Sequence, residues 1–533
     1  MVIWKTVAEH ASILFSLSNT QTTMAHHMMK QLIPIALLVL IFADCRNATA
    51  TPQAKPTNQA PQQAVLSLSG MFTDHMVLQR ECDAAIWGNA KPKTTVTVTP
   101  SWSKQTFETQ ADAEGRWRCT VKTPQAGGPH TVAVSSGGDS VTLKDVLIGE
   151  VWICSGQSNM QWKLRGFGIA HFKEDVDKAT FPQIRFCDVP QVIALKGQDM
   201  VKARWTPCSP KTALAFSAVG YFFGSRLHQE LNVPIGLVST NWGGSSAEAW
   251  VSPEVLKKQF PEFNTVSDRY AKMIEQTGDR YAGKKRPKGL NQKNPSVLYN
   301  SMIHPLIPFS FRGVVWYQGE SNVAHPEQYR TLFPAMIRDW RARWGNGDFP
   351  FYYVQIAPFA YKNEPISAAF LREAQMMTLS EPNTGMVVTM DIGNPANIHP
   401  KQKKPVGERL ARLALKRDYG RTDLVDSGPA YKSHKVEDNS IRLQFTSIGD
   451  GLSTGDDKPL THFTIAGADK KFVAAKATID GDTIVVRSEN VTNPIAVRYA
   501  WGSGDMPNLS NKEGLPVSSF RTDDWPIQPA SSK

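Results

Sequence analysis

The sequence has little cysteine, and its cysteines are not arranged for a metal. Only six occur among 533 residues, and no pair has the spacing of zinc ligands. Removal of an N-terminal leader would leave an odd number, so at least one thiol stays free or pairs outside the chain. These cysteines are Cys82, Cys119, Cys154, Cys187 and Cys208. We expect Cys154, in an apolar run, to be buried, while Cys187 and Cys208 are a candidate bridge in an oxidising compartment.

An apolar run long enough to cross a membrane is also lacking near the N-terminus. The run at residues 32–43 is shorter than the roughly 20 residues that a membrane-spanning helix needs. Ala48-Thr49-Ala50 is typical of a secretory cleavage site, so residues 1–50 are interpreted as a signal peptide with an upstream extension. We therefore expect export, to the periplasm or the extracellular space. Lipid anchoring at Cys45 is a weaker alternative, because Asp44 stands where such processing needs a small residue.

Acidic residues are outnumbered by basic ones, 48 against 59, which gives a formal net charge of +11. Such an excess favours anionic partners such as nucleic acid, membrane surfaces or acidic sugars. The basic residues are scattered, however, and their densest run, between residues 284 and 293, lies among Gly and Pro without interleaved aromatic residues. That pattern is typical of a solvated loop. We therefore expect no nucleic-acid partner, and the charge is compatible with an anionic sugar.

Changes in composition divide the chain into expected domains. Residues 51–64 are rich in Pro, Gln and Ala, which predicts a linker. Residues 65–145 contain short alternating apolar runs between Gly, Pro and Asp turns, which predicts a β-sandwich domain. Residues 146–417 predict an α/β domain, and residues 427–527 return to short strands that predict a C-terminal β domain.

The α/β domain is predicted from continuous apolar runs that alternate with helical stretches. Strands buried on both faces form a parallel sheet covered by helices. The apolar runs are residues 146–154, 234–240, 313–317, 351–356 and 385–390, and the helical stretches include residues 328–344 and 406–415. In an open parallel sheet, ligands bind outside the carboxyl ends of the strands. Polar residues just after each run are therefore candidate site residues.

The first candidate is Ser158, which follows the first apolar run. Gly156 permits a tight turn there, and the serine is expected to begin a helix. That arrangement would expose a hydroxyl group and aim backbone N–H groups at a developing negative charge. It is not the nucleophile elbow of α/β-hydrolases, because Met160 stands where that motif requires glycine.

Three further polar segments follow later runs. Gly243 lies in a two-glycine turn that allows a backbone N–H group to approach a ligand closely. Gln318 and Glu320 place an amide and a carboxylate beyond the next strand, and His399 lies in a proline-bounded loop beyond another. A hydroxyl, an imidazole, a group to orient it and oxyanion donors are the parts of nucleophilic acyl transfer. This chemistry requires no metal or cofactor.

The same segments resemble the ordered motifs of the SGNH hydrolases, in particular the branch of sialate O-acetylesterases and acetylxylan esterases. The motifs are GQSNM at 156–160, WGGS at 242–245, WYQGESN at 316–322 and IHP at 398–400. The resemblance covers most of the chain after residue 50. It implies a flavodoxin-like, three-layer hydrolase domain between two β-sandwich-like domains.

The resemblance also implies roles for individual residues. Ser158 would be the nucleophile, His399 the general base, Gly243 a backbone oxyanion donor and Gln318 a neighbouring donor. The implied function is a serine esterase that removes O-acetyl groups from carbohydrate, with O-acetylated sialic acid as the favoured substrate. The alternatives are an esterase for acetylated xylan or another glycan, and a carbohydrate-binding protein that has lost catalysis.

One position departs from the motif of these hydrolases. Relatives often carry Asp two residues before the histidine, where this chain has Asn397. An amide does not stabilise an imidazolium as an anion does, and loss of the orienting carboxylate can cost about 10⁴ in rate. Another group should therefore orient His399. Glu320 is the first candidate and Asp391 the second; a Ser-His dyad supported by Asn397 or a backbone carbonyl is the third.

Overall fold

The computed structural model describes residues 66–282, 286–362 and 366–526. The expected signal peptide (1–50), the linker (51–64) and Cys45 lie outside these ranges. Within them, a central mixed sheet carries helices on both faces, and further β-sheets precede and follow it in the sequence.

Short strands make up the described chain as far as residue 156. Their bounds are β1 (Ser67–Leu68), β2 (Val77–Gln79), β3 (Asp83–Asn89), β4 (Thr95–Pro100), β5 (Phe107–Gln110), β6 (Arg116–Lys122), β7 (Gly127–Ser136) and β8 (Asp139–Gly156). In β6, Trp117, Cys119 and Val121 are buried between exposed neighbours, because successive side chains of a strand point to opposite faces. This confirms that the region is built of strands with alternating burial.

Strand β8 joins these strands to the central sheet. Its first part pairs antiparallel with β7, and its last part, from Glu150 onward, runs parallel to later strands. Asp145, the last residue of the expected N-terminal domain, has a φ of +53°, and its carboxylate contacts Arg185 and His75 at 2.9 and 2.7 Å. One strand therefore continues across the expected boundary at residue 146, and the residues that the structure describes belong to one compact unit. The division into domains stays a prediction.

The central sheet is built mainly from parallel strands. The later strands of the described chain up to residue 387 are β9 (Phe181–Asp188), β10 (Val192–Ala194), β11 (Trp205–Cys208), β12 (Ile235–Asn241), β13 (Arg280–Ala282), β14 (Gly313–Tyr317), β15 (Phe351–Val354) and β16 (Thr384–Val387). Strand β8 and six of these strands form the central sheet in the order β11-β9-β12-β8-β14-β15-β16, with β11 antiparallel at one edge, whereas β10 and β13 pair with each other in a separate two-stranded sheet. The apolar runs predicted as buried parallel strands are confirmed, to within a few residues at their ends.

Helices cover both faces of this sheet. Their bounds are α1 (Ser158–Gln161), α2 (Lys173–Asp177), α3 (Pro210–Leu214), α4 (Ala218–Leu231), α5 (Pro253–Gln259), α6 (Asn264–Thr277), α7 (Pro326–Trp344), α8 (Ser367–Met377) and α9 (Lys403–Asp418). Local sequence explains their ends: Ser217 caps α4 by accepting a hydrogen bond from the Gly220 N–H group, and Gly345 ends α7 in a left-handed conformation. None of the helices in the described ranges is long and apolar enough to cross a membrane.

Two hydrophobic cores form on the two faces, because neighbouring residues of each strand point in opposite directions. Trp152 and Cys154 of β8 belong to the core that α4 and α9 cover, and Ile153 belongs to the core that α7 and α8 cover. Cys154 is fully buried, as expected.

The candidate bridge between Cys187 and Cys208 is wrong. Both thiols are free, and both cysteines are buried. Cys187 lies opposite Trp205, whereas Cys208 lies opposite Phe181 at the other end of the strand pair. The two side chains also pack into the cores on opposite faces of the sheet, so their sulfur atoms cannot meet.

The chain after α9 forms further antiparallel sheets around a core of their own. The strands are β17 (Ala430–Glu437), β18 (Ser440–Thr446), β19 (Leu452–Thr454), β20 (Phe463–Ala466), β21 (Val473–Ala474), β22 (Lys476–Asp480), β23 (Thr483–Arg487), β24 (Ala496–Tyr499), β25 (Leu509–Asn511) and β26 (Phe520–Arg521). Met390, from the loop after β16, packs into this core. Arg372 of α8 is fully buried and donates hydrogen bonds to the carbonyl groups of Ala500 and Gly502. The C-terminal strands thus contact the α/β region through α8 and through the loop after β16.

Candidate active site

The polar segments singled out in the sequence meet at one edge of the sheet. In the parallel register, Gly156 at the end of β8 lies opposite Asn241 at the end of β12 and Tyr317 at the end of β14. The residues that follow these strands therefore emerge side by side, as a parallel sheet requires.

The turn after β8 depends on glycine. Gly156 has a φ of +130°, and a β-carbon there would lie 2.2 Å from the carbonyl oxygen of Tyr317. The N–H group of Gln157 donates to that same oxygen at 2.9 Å, which fixes the next turn of chain. Ser158 then begins α1, as expected, with a half-buried side chain at the sheet edge.

Gly243 lies directly beside Ser158. A β-carbon on Gly243 would be 3.4 Å from the β-carbon of Ser158, which is van der Waals contact distance. The Gly243 N–H group donates at 2.5 Å to the side-chain oxygen of Gln161, which belongs to α1. The amide oxygen of Gln161 thus accepts the hydrogen bond from the Gly243 N–H group, which the resemblance assigns to the oxyanion of the reaction.

Gln318 is buried and uses its amide within the protein. Its Nε2 donates to the Asn322 side-chain oxygen at 2.7 Å and to the Ser245 carbonyl at 3.3 Å, while its Oε1 accepts from the hydroxyl of Tyr329 at 3.0 Å. Asn322 in turn donates to a carboxylate oxygen of Glu248 at 3.0 Å. These bonds hold the segment after β14 against the segment after β12.

His399 lies in the loop between β16 and α9, and its ring is half-buried. The imidazole packs on the indole of Trp162, with ring centroids 4.4 Å apart. Burial, together with the positive charge of Lys403, lowers the pKa of His399 below its ordinary value of 6.5. Among the described residues, no hydrogen bond joins the His399 ring to Ser158 or to a carboxylate.

The two candidate orienting groups near His399 in sequence are engaged elsewhere. The Asn397 side-chain oxygen accepts from the backbone N–H group of His399 at 2.9 Å, which shapes the loop without touching the ring. Asp391 forms a two-point ion pair with Arg409 of α9, with one contact at 2.8 Å and the other at 2.5 Å.

Glu320 is buried below the sheet edge. One of its carboxylate oxygens accepts from the Asn159 side-chain amide at 2.5 Å, and the other has no hydrogen-bond partner among the residues that the structure describes. Burial raises the pKa of Glu320 above its ordinary value, against the opposing effects of the hydrogen bond from Asn159 and the charge of Lys403. Its observed contact is with the residue after Ser158 rather than with the imidazole.

Sequence reasoning missed two buried polar residues at this site. Asn159 contacts Glu320, and the ammonium group of Lys403 donates to the Asn159 side-chain oxygen at 2.5 Å. Burial lowers the pKa of Lys403 to about 7. A signal was available, because Lys403 precedes Val406 and Leu410 at helical spacing and so lies on the apolar stripe of α9. A lysine in that position is a buried charge that needs a partner.

The described side chains form no cluster of three or more His, Cys, Asp or Glu residues that could hold a metal ion. The groups at this edge are a hydroxyl, an imidazole, backbone donors and a buried carboxylate. Such groups can carry out acyl transfer through a serine nucleophile.

Comparisons with known proteins agree with this chemistry. The sequence model of the family described as carbohydrate esterase, sialic acid-specific acetylesterase, matches residues 148–416. A sialate O-acetylesterase from Homo sapiens is 33% identical over 469 residues, covering 81% of this chain and 86% of the relative. The sialate O-acetylesterase from Mus musculus is 30% identical over 478 residues, covering 80% of this chain and 88% of the relative.

A solved structure extends the likeness to the fold. The crystal structure of a carbohydrate acetylesterase from Xanthomonas citri is 38% identical, with a TM-score of 0.76, and the match covers 86% of this chain and all of that one. These matches set aside the alternative of a binding protein without catalysis, so this protein is a carboxylic ester hydrolase. The chain belongs to the family of sialic acid-specific acetylesterases, a family of carbohydrate esterases.

Proposed function

We propose that this chain is a serine esterase that removes O-acetyl groups from sialic acids. The observation that carries the proposal is the position of Ser158 beside Gly243, at the sheet edge where the histidine loop also begins. The relatives that match four fifths of the chain are named sialate O-acetylesterases. The net positive charge is compatible with an anionic sugar.

In the proposed mechanism, neutral His399 takes the proton from the Ser158 hydroxyl as its oxygen attacks the acetyl carbonyl carbon. The backbone N–H groups of Ser158 and Gly243 then stabilise the oxyanion, and Gln318 is a third donor nearby. As the bond between the acetyl carbon and the sugar oxygen breaks, the imidazolium gives its proton to that oxygen, and the sugar leaves with a free hydroxyl group. Water attacks the acetyl-enzyme with His399 again as base, and acetate leaves. For these reaction steps to occur, the Gln161 side chain must release the Gly243 N–H group when substrate binds.

Glu320 remains our proposed carboxylate of the site. Asn159, which it contacts, also donates to the carbonyl group of Ile398, the residue before His399. The side chain of Asn159 therefore connects Glu320 to the segment that carries His399. Asp391 is held by Arg409 and Asn397 by the backbone, so they are less suited to orient the ring.

The scaffold that we propose is an SGNH, flavodoxin-like domain at residues 146–417, between β-sandwich-like domains at residues 65–145 and 427–527. Helices on both faces of a parallel sheet support the central assignment. We also propose that residues 1–50 direct export to the periplasm or the extracellular space.

Hydrolysis of p-nitrophenyl acetate by the wild type and by Ser158→Ala tests the chemistry. We expect the variant to lose nearly all activity, and equal rates would refute the serine mechanism. Acetate release from 9-O-acetylated sialic acid, compared with acetylated xylan, tests the substrate.

The Xanthomonas citri likeness favours a second candidate, a carbohydrate acetylesterase with another glycan substrate, because that protein is named only by the broader class. Preference for acetylated xylan in the same assay would replace the sialate proposal with this one.

A further inference from the structure

Lys403 is a buried charge that the proposed acyl-transfer steps do not use. It is the first residue of α9, and none of its side chain is exposed. Its ammonium group lies 2.5 Å from the side-chain oxygen of Asn159 and 5.6 Å from the centre of the Tyr317 ring. Lysine is almost never fully buried without a partner, so this position calls for an explanation.

The ammonium group decides which way the Asn159 amide faces. An ammonium group can only donate hydrogen bonds, so the oxygen end of the amide must point at Lys403. The nitrogen end then points the other way, where it donates to the Glu320 carboxylate at 2.5 Å and to the Ile398 carbonyl at 3.1 Å. Both of those groups are acceptors and could not receive the opposite end of the amide.

These contacts join the two segments that carry the proposed reacting groups. Asn159 follows Ser158 in α1, and Ile398 precedes His399 in the loop before α9. We propose that Lys403 is a positioning residue: its ammonium group orients the Asn159 amide and thereby holds the Glu320 carboxylate and the His399 segment in register with Ser158. The inference rests on the proposed function, since it assigns a role at the same site.

The charge of Lys403 also affects the pKa values of His399 and Glu320, and the pH dependence of the reaction can report this effect. It adds to burial in lowering the pKa of His399, and it opposes the rise that burial causes in the pKa of Glu320. The negative charge of Glu320 in turn raises the pKa of Lys403, against the effect of burial. The same charge also raises the pKa values of the buried phenols of Tyr317 and Tyr361. Removing the charge at residue 403 should therefore raise the pKa of the imidazole.

The test compares Lys403→Met with Lys404→Met in the full chain, using p-nitrophenyl acetate. Lys404 is the next residue on the same helix, but its ammonium group is partly exposed and bonds to Asp175 at 2.7 Å. We expect Lys403→Met to lower kcat by up to about 100-fold, as small displacements of reacting groups do, with little change in KM. We also expect its acidic limb of kcat/KM against pH to move to higher pH, while Lys404→Met behaves as wild type.

A wild-type kcat in Lys403→Met, or a lower kcat without movement of the acidic limb, would overturn the positioning role. If Lys403→Met does not fold, Asn159→Asp takes its place, because its carboxylate still accepts from Lys403 but cannot donate to Glu320 or Ile398. Full activity in Asn159→Asp would also overturn the inference. The outcome is separable from the proposed serine mechanism, which fails if Ser158→Ala stays active.

Discussion

The imidazole of His399 lies against the indole of Trp162, with 4.4 Å between the ring centroids and 34° between the ring planes. Trp162 directly follows α1, the helix that begins at Ser158. The proposed base therefore packs on the same short segment that carries the proposed nucleophile. Since no hydrogen bond from a carboxylate orients this ring in the described part of the chain, the aromatic contact is the main observed restraint on it.

Replacement of Trp162 should weaken the restraint on the orientation of the His399 imidazole, the proposed general base. Aromatic pairs contribute about 0.5–1.5 kcal/mol, so Trp162→Ala should lower kcat/KM for p-nitrophenyl acetate by roughly 2- to 10-fold. Trp162→Phe keeps an aromatic face and should recover most of the activity. If alanine and phenylalanine reduced the rate equally, the packing would not be what positions His399.

The pH dependence of the reaction should show a lowered histidine pKa. Burial and Lys403 disfavour the imidazolium form of His399, so the neutral base persists below pH 6.5. We expect the acidic limb of kcat/KM against pH to have its midpoint below 6.5, with the rate falling as the pH drops through it. A midpoint above 6.5 in the wild-type enzyme would contradict this assignment.

Crowding at Gly243 should impair the nucleophile. A β-carbon there would lie 2.9 Å from the Gln161 side-chain oxygen and 3.4 Å from the β-carbon of Ser158. We expect Gly243→Ala to lower kcat/KM by at least about 10-fold, a cost of about 1.4 kcal/mol. Adding Gln161→Ala should restore part of the rate by removing the closer contact. Gly127→Ala is the matched control, because its β-carbon would meet no atom within 4 Å.

A buried ion-pair cluster should support the fold rather than the chemistry. Glu150 is fully buried and accepts hydrogen bonds from Arg80 at 2.5 Å and Arg312 at 2.9 Å. We expect Glu150→Gln to lower the free energy of unfolding by about 3 kcal/mol, because two arginines lose their buried partner. The matched control, Asp177→Asn in an exposed pair with Lys173, should change it by less than about 1 kcal/mol.

The effect of Glu150 should depend on pH. Burial alone opposes its charge, but the hydrogen bonds from Arg312 and Gln79 and the charges of Arg312 and Arg80 hold the pKa of Glu150 below its ordinary value of 4.5. The carboxylate therefore stabilises the folded state above that value, and its contribution is lost as pH falls through the lowered pKa. Urea unfolding should show the difference between wild type and Glu150→Gln narrowing in acid. A difference in the free energy of unfolding that became larger in acid would contradict the ion-pair explanation.

Met390 should couple the C-terminal strands to the histidine loop. It is fully buried in the C-terminal core although it precedes His399 in the same loop. We expect Met390→Ala to lower stability by about 2–5 kcal/mol and also to lower kcat. Ile484→Ala, in the same core but on β23, should match the loss of stability and keep kcat near wild type. Equal kcat values for the two variants would argue against the coupling.

Local pattern in the sequence was enough to predict the framework of the site. The run at residues 313–317 is a buried strand from end to end, because a strand buried on both faces needs consecutive apolar residues. The placement of Ser158 and Gly243 at one edge also followed, since parallel strands end at the same side of a sheet. Likewise, the motifs around these residues were sufficient to indicate the family.

Only the tertiary structure decided which partner each polar side chain takes. The contact between Glu320 and Asn159 joins residues 161 positions apart, and that between Lys403 and Asn159 joins residues 244 positions apart. No periodic pattern encodes such pairings, because they depend on how α9 and the segment after β14 pack beneath the sheet edge. For the same reason, Cys187 and Cys208 looked like a possible pair along the chain, whereas the pleat of the sheet directs them to opposite faces.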